Sequence, residues 1–337
     1  MTPAPIAVLG SGSWGTALAI QFARAGKPTR LWGRDPGLVA TMLRERANPH
    51  YLPDAPFPEA LTVVGDLSAA LDGVLDVLIA VPSKGFRSLL TQLVPLIGAV
   101  GPGVRVAWAT KGFELATGKL PHQVAHEVLG TGMPMAVLSG PTFAREVGMG
   151  LPTAMTVASP DPQFAAALAH DLSSRSFRAY ISTDIIGVET GGAVKNVLAV
   201  GAGLSDGLGF GSNTRIALIT RGLVEMTRLG VALGAQRETF MGLAGFGDLV
   251  LTCTDDQSRN RRFGLALASG VAPAEALERI GQVVEGYHAA EAVRGVAVRE
   301  GVEMPICEGI YRILYEKVPA EEVVRDLMSR PIRAEIG

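Results

Sequence analysis

Short, nearly unbroken apolar runs punctuate the first half of the chain: PIAVLG (5–10), PTRLWG (28–33), LTVVG (61–65), DVLIAVP (76–82), VRVAWAT (104–110) and MAVLSG (135–140), with TAMTVAS (153–159) and FRAYIS (177–182) extending the series. Between them lie stretches of helical periodicity. GTALAIQFARAG is closed by Gly26, and DPGLVATMLRERA has Asp35 placed to cap a helix and Pro36 to open its first turn. Strands apolar on both faces that alternate with helices predict an α/β unit on a doubly wound, mostly parallel sheet covered on both sides.

After about residue 184 the pattern changes. NTRIALITRGLVEMTRLG, NRRFGLALASG, YHAAEAVRGVAVREG and ICEGIYRILYEKV all carry helical periodicity, and convincing strands stop. The expected organisation is an N-terminal α/β domain over 1–184 and an all-α C-terminal domain over 185–337. The stretch SDGLGFGSN (205–213) is expected to be a glycine-rich loop inside the second domain.

Composition narrows the picture. The chain has 337 residues, 48% apolar and 18% charged, with a formal charge of −2, so a dedicated nucleic-acid or membrane-surface role is not expected. Apolar runs are all shorter than the uncharged span a bilayer requires, and the N-terminus lacks the basic and long apolar regions of a secretory signal. Cys253 and Cys307 form neither a C-x-x-C pair nor a disulfide framework, which favours a reducing, cytoplasmic setting. His122 and His126 lie one helical turn apart in HQVAHE, but not in the order of a zinc protease motif; they read as a solvated helix face, and no metal site is expected.

Candidate chemistry starts at Gly10, Gly12 and Gly15, a G-x-G-x-x-G directly after the first strand and at the mouth of a helix. A tight turn, close backbone approach to a pyrophosphate and close helix packing all need that context, so a Rossmann-type dinucleotide site is expected; a purely structural turn is the alternative. The second strand ends in LWGRDP. Arg34 there can receive the 2′-phosphate of NADP, which favours NADPH over NADH, while Asp35 has a competing use as a helix cap. Lys111 and Thr142 follow the ends of the fifth and sixth strands, where ligands of open sheets lie; each is also compatible with an ordinary surface lysine or cap.

In the second half, GGAVKNVLAVGAG contains a single charge, Lys195, with no acidic neighbour between Glu189 and Asp206. Such a lysine either snorkels to water or sits desolvated in a cleft with its pKa pulled down, able to exchange protons near neutrality. GFGDLVLTCTDDQSRNRRFG embeds Asp248 in apolar residues and follows it with Ser258, Arg259, Asn260, Arg261 and Arg262. An arginine with an amide neighbour at a helix start suits a phosphate; a solvated basic turn is the other reading.

Over nearly its whole length the chain resembles the bacterial NAD(P)-dependent glycerol-3-phosphate dehydrogenases. The words that carry the resemblance are GSGSWGTALA, ATKGFE, SGPTFAREV, GGAVKNVLAVGAGLSDGLGFGSNTRIALITRG, GFGDLVLTCTDDQSRNRRFG and GQVVEGY. The resemblance implies reversible reduction of dihydroxyacetone phosphate to sn-glycerol 3-phosphate in the cytosol, as a supply for phospholipid synthesis. It implies Lys195 as proton acceptor, with Asn196 and Asp248 ordering the site. Lys111, Gly140, Thr142, Asp248, Ser258, Arg259 and Asn260 would meet the substrate. Ser13, Trp14, Arg34, Lys111, Ala144, Arg259, Val283 and Glu285 would meet the cofactor beside the three glycines.

Two rival readings stay open at the level of sequence: a dehydrogenase for another small hydroxy compound, and a cofactor-binding sensor without catalysis. A homodimer is the commonest closed arrangement, and the glycine- and alanine-rich helices can pack between subunits as well as within one.

Overall fold

The structure, a computed structural model, describes residues 4–101 and 103–331; positions 332–337 of the expected helical domain and residues 1–3 lie outside it. Among the described residues eight strands form one sheet: β1 (Ile6–Leu9), β2 (Thr29–Trp32), β3 (Leu61–Val64), β4 (Asp76–Ile79), β5 (Arg105–Trp108), β6 (Met135–Ser139), β7 (Thr153–Ala158) and β8 (Phe177–Ser182). Their order is β3-β2-β1-β4-β5-β6-β7-β8, and every neighbouring pair is parallel except β6 with β7. The apolar runs behave as their composition demands. β1, β4 and β6 are buried at every residue, while the edge strands β3 and β8 expose alternate or most positions.

The intervening helices are α1 (Ser13–Arg24), α2 (Pro36–Glu45), α3 (Leu67–Leu71), α4 (Ser83–Val100), α5 (Pro121–Leu129), α6 (Ala144–Met149) and α7 (Pro162–Leu172). Asp35 caps α2 by accepting the Leu38 amide at 3.0 Å, with Pro36 at the first position as expected. One face of the sheet is covered around Leu18, Phe22, Leu138 and Phe164, the other around Leu9, Phe86, Leu90 and Trp108.

From residue 185 onward the described residues are helical: α8 (Ile185–Gly207), α9 (Gly211–Ala232), α10 (Asp248–Thr254), α11 (Arg259–Ala268), α12 (Pro273–Ile280), α13 (Glu285–Arg299), α14 (Pro305–Tyr315) and α15 (Ala320–Met328). A 3-10 turn (Arg237–Met241) and a π-helical turn (Leu243–Gly247) lead into α10. α8 is the axis of this region. Its Ile185 and Val188 belong to the sheet's core, whereas Val194, Leu198 and Val200 belong to the helical core with Leu249, Phe263 and Val293.

α8 is long and apolar enough to span a bilayer, yet 94% of its most apolar window is buried inside the protein and its interior holds Glu189 and Lys195; it is a core helix. Two glycine contacts explain how it accommodates neighbours. A Cβ at Gly264 of α11 would lie 2.1 Å from the Val200 carbonyl oxygen, and one at Gly203 would lie 2.0 Å from that of Arg261, so α8 and α11 pack backbone to backbone.

The expected loop at 205–213 is corrected by the same packing. Ser205 to Gly207 finish α8 and Gly211 to Asn213 begin α9, leaving only Leu208, Gly209 and Phe210 as the connection. His122 also departs from expectation: it is half-buried and paired with Glu189, although His126 is exposed.

Candidate active site

The strand order reverses between β1 and β4, because the connections from β1 run to one side and those after β4 to the other. In open parallel sheets ligands lie outside the carboxyl ends of the strands at such a point. The glycine loop lies there. Gly10 adopts φ +124°, and a Cβ there would meet the Ala80 carbonyl oxygen at 2.5 Å, while one at Gly15 would overlap the Gly10 oxygen at 1.9 Å. Gly12 is the opposite case, with nothing within 4 Å of where its Cβ would be. Gly12 precedes α1, whose start has no side-chain cap and no acid in the first turn. Unsatisfied amides beside open space suit a bound pyrophosphate. Trp14, at the second position of α1, keeps a buried indole N–H without a protein partner among the described residues. Arg34 stands exposed just past β2, with no acid paired to it among the described contacts.

Lys195 occupies the middle of α8 and is 7% exposed. Its partner comes from 53 residues further along: Nζ donates to Asp248 Oδ1 at 2.5 Å, and also to Thr252 Oγ1 at 2.9 Å. The other carboxylate oxygen of Asp248 accepts from Lys111 Nζ at 2.6 Å. One buried carboxylate thus joins a lysine of the helical region to a lysine at the end of the sheet. An ammonium has three N–H donors, so Lys195 retains one beyond these two acceptors. Burial pulls the Lys195 pKa down to about 8, with Asp248 acting against that shift and Lys111 reinforcing it. For Asp248 burial is the largest influence and acts upward, but the two lysines together outweigh it and hold the carboxyl below its usual range.

A chain of amides continues the site. Asn196 Oδ1 accepts from Asn260 Nδ2 at 2.9 Å, and Asn260 Oδ1 accepts from the Gly286 amide at 2.9 Å, tying α8, α11 and α13 together. Ser258 caps α11, accepting the Arg261 amide at 3.2 Å. Arg259 opens that helix; burial lowers its pKa and Glu285 opposes the change. Glu285, at the start of α13, is itself raised by burial and accepts from Ser83 Oγ at 3.3 Å, so the helical region reaches the start of α4.

Arg261 leaves the basic cluster: it pairs with Asp206 at 2.7 Å and with Asp256, which makes it an internal tie. Gly140 follows β6 and accepts from Thr142 Oγ1 at 3.2 Å. Thr142 lies two residues before α6, and Ala144 is the first helical residue. Val283 is 44% exposed ahead of α13.

Thr252 was not visible as a site residue in the sequence. Its only signal is the i, i+4 spacing from Asp248 on α10. No group of three or more His, Cys, Asp or Glu that could hold a metal occurs among the described residues.

A Rossmann-type glycine loop at the switch point of the sheet, with a buried lysine tied to the sheet's end and an arginine opening a helix of the second lobe, defines a nicotinamide-dependent dehydrogenase class. Family models are more specific. The N-terminal model of NAD-dependent glycerol-3-phosphate dehydrogenase matches residues 5–165 and the C-terminal model matches 184–325, so the chain belongs to that family.

A relative from Klebsiella pneumoniae, named as an NAD(P)+ glycerol-3-phosphate dehydrogenase, is 56% identical over 328 residues, 97% of this chain and 96% of that one. A crystal structure of glycerol-3-phosphate dehydrogenase from Coxiella burnetii superposes with a TM-score of 0.93 at 48% identity, covering 98% of this chain and all of that one. D-mandelate dehydrogenase shares the fold alone, at 13% identity and a TM-score of 0.61 over 95% of this chain and 99% of that one.

Proposed function

We propose that this chain is an NAD(P)H-dependent sn-glycerol-3-phosphate dehydrogenase that reduces dihydroxyacetone phosphate reversibly, with NADPH the preferred cofactor and NADH usable. The observation that carries the mechanism is the sharing of Asp248 by Lys195 and Lys111. Two ammonium groups on one carboxylate leave a net positive site, and Arg259 adds a further charge, as a phosphorylated substrate requires. Family membership and the high identity of the relatives support the substrate class.

In this reading Gly10, Gly12, Ser13, Trp14 and Gly15 hold the dinucleotide at the start of α1. Arg34 takes the 2′-phosphate, and Lys111, Ala144, Arg259, Val283 and Glu285 complete its surroundings. When bound, the nicotinamide supplies the hydride that turns the C2 carbonyl into an alcohol. Lys195, as an ammonium, directs its remaining N–H to the C2 oxygen, stabilises negative charge developing there and gives up a proton to it. Asp248 and Thr252 fix the direction of that donor, and Asn196 holds Asn260. Lys111, Gly140, Thr142, Ser258, Arg259 and Asn260 seat the substrate, so binding energy from the remote phosphate fixes the reacting carbon.

The same proposal places the domain boundary at 184/185, near the start of α8, and the protein in the cytoplasm feeding phospholipid synthesis. Homodimerisation is included in it, on the symmetry argument alone.

The test is loss of reduced-nicotinamide absorbance with dihydroxyacetone phosphate, compared with unphosphorylated dihydroxyacetone, with NADH for NADPH, and with the Lys195→Met protein. Turnover confined to the phosphorylated ketone and lost in Lys195→Met, with NADPH binding retained by fluorescence titration, is expected. Normal turnover by folded Lys195→Met protein would refute the mechanism. Turnover by the unaltered protein answers the sensor reading, which predicts NADPH binding without chemistry.

A further inference from the structure

Glu189 plays no role in the chemistry above, yet it is a carboxylate only 3% exposed. A desolvated charge needs donors, and three converge on it. Oε1 accepts from the Trp108 indole N–H at 2.8 Å and from the His122 backbone amide at 3.0 Å, and Oε2 lies 2.5 Å from His122 Nδ1. The His122 amide is in the first turn of α5, whose preceding Leu120 offers no polar side chain, so Glu189 also satisfies a helix start.

The placement of these groups matters more than their number. Trp108 is the last residue of β5, three before Lys111. Glu189 lies on α8, with Gly192 one turn further on and Lys195 one turn beyond that. A Cβ at Gly192 would stand 3.4 Å from Lys111 Cγ. Strand end and helix therefore pair in the same order: Trp108 with Glu189, Lys111 with Gly192, then both lysines on Asp248. A shift of α8 by a single residue, about 1.5 Å, would pull Lys195 or Lys111 away from the shared carboxylate.

We propose that Glu189 is a positioning residue that sets the register of α8 against β5, and through it the approach of Lys195 and Lys111 to Asp248. The proposal rests on the catalytic role given to Lys195 above. A purely structural role would lower the melting temperature without a selective effect on the lysine.

The test compares Glu189→Gln, Glu189→Ala and Trp108→Phe with the unaltered protein by two readouts. The first is the split between kcat and KM. The second is the rate of Lys195 acetylation by acetic anhydride across pH, read by peptide mass spectrometry without cofactor or substrate.

Glu189→Ala is expected to lose roughly ten- to a hundredfold in kcat, with a smaller rise in KM for the phosphorylated ketone through Lys111, and to show an altered Lys195 acetylation profile. Glu189→Gln keeps an acceptor for Trp108 and the His122 amide and should restore most of both. Folded Glu189→Ala with unchanged kcat and acetylation would overturn the proposal, as would a loss in Glu189→Gln equal to that in Glu189→Ala. A rise of KM with kcat unchanged would overturn it too. If Glu189→Ala does not fold, Trp108→Phe decides: a fall in kcat with altered acetylation upholds the proposal, and no change in either refutes it. An unaltered protein inactive on the ketone would refute the catalytic reading alone, since the acetylation comparison still tests the coupling.

Discussion

Lys195 holds its proton under opposing influences. Burial drives the proton off, Asp248 holds it on, and the outcome is a pKa of about 8. The direction of the reaction then decides the pH dependence. Ketone reduction uses the ammonium and should fall as pH rises through about 8, while alcohol oxidation uses the free amine and should rise over the same interval. Initial rates in both directions across pH check this, and two profiles of the same sense would exclude Lys195 as the group responsible. The oddity of this lysine was legible in the sequence, because a lone charge in an apolar helical stretch has to be explained. Asp248 was legible in the same way, as an acid embedded in an apolar run. The sharing of its carboxylate with Lys111 was not legible, since three separate segments supply that contact and no local pattern encodes it. Glu189 was hidden for the same reason.

At the level of elements, the strands and the capped helix at Asp35 were readable because burial on both faces and turn chemistry leave local marks. The 205–213 stretch misleads because its glycines read as turn residues. At Gly207 glycine serves close packing instead, as a Cβ there would be 2.5 Å from Ala268 Cβ. The genuine turn is at Gly209, with φ +77°. The α8–α11 contact leads to a sharper expectation. Gly264→Ala forces the helices apart and with them the Asn196–Asn260 bond, so a loss of about 1–3 kcal/mol or more is expected in denaturant unfolding, together with a raised KM for substrate. Unchanged stability would mean that α11 is not held against α8 as described.

Another link between elements is Glu225 of α9, which accepts from the Ile306 and Cys307 amides at 2.7 and 3.1 Å, at the start of α14. Burial raises its pKa to about 7 from 4.5, against the pull of those amides. The folded state therefore binds the extra proton between those values. Stabilisation from this group is complete below about 4.5 and is lost as pH rises through about 7. Glu225→Gln should gain stability relative to the unaltered protein between pH 5 and pH 8, by thermal melts at about those two values. A pH-independent difference would contradict the shift.

For the whole molecule, the sheet and the helical region are not two bodies joined by a flexible strap. α8 begins in one core and ends in the other, carrying Ile185 and Val188 for the first and the run from Val194 to Val200 for the second. Every residue from Gly187 to Ser205 on this helix is buried. Lys195 is thus anchored in the segment most enclosed by the rest of the protein. Amide hydrogens around it should be among the slowest to exchange with deuterated solvent, opening only when the molecule unfolds as a unit. Heat should then destroy activity along the same curve as it destroys helical circular dichroism, with no inactive but still folded stage. An enzyme of this build fails all at once, because its reactive group lies in the helix that both cores share.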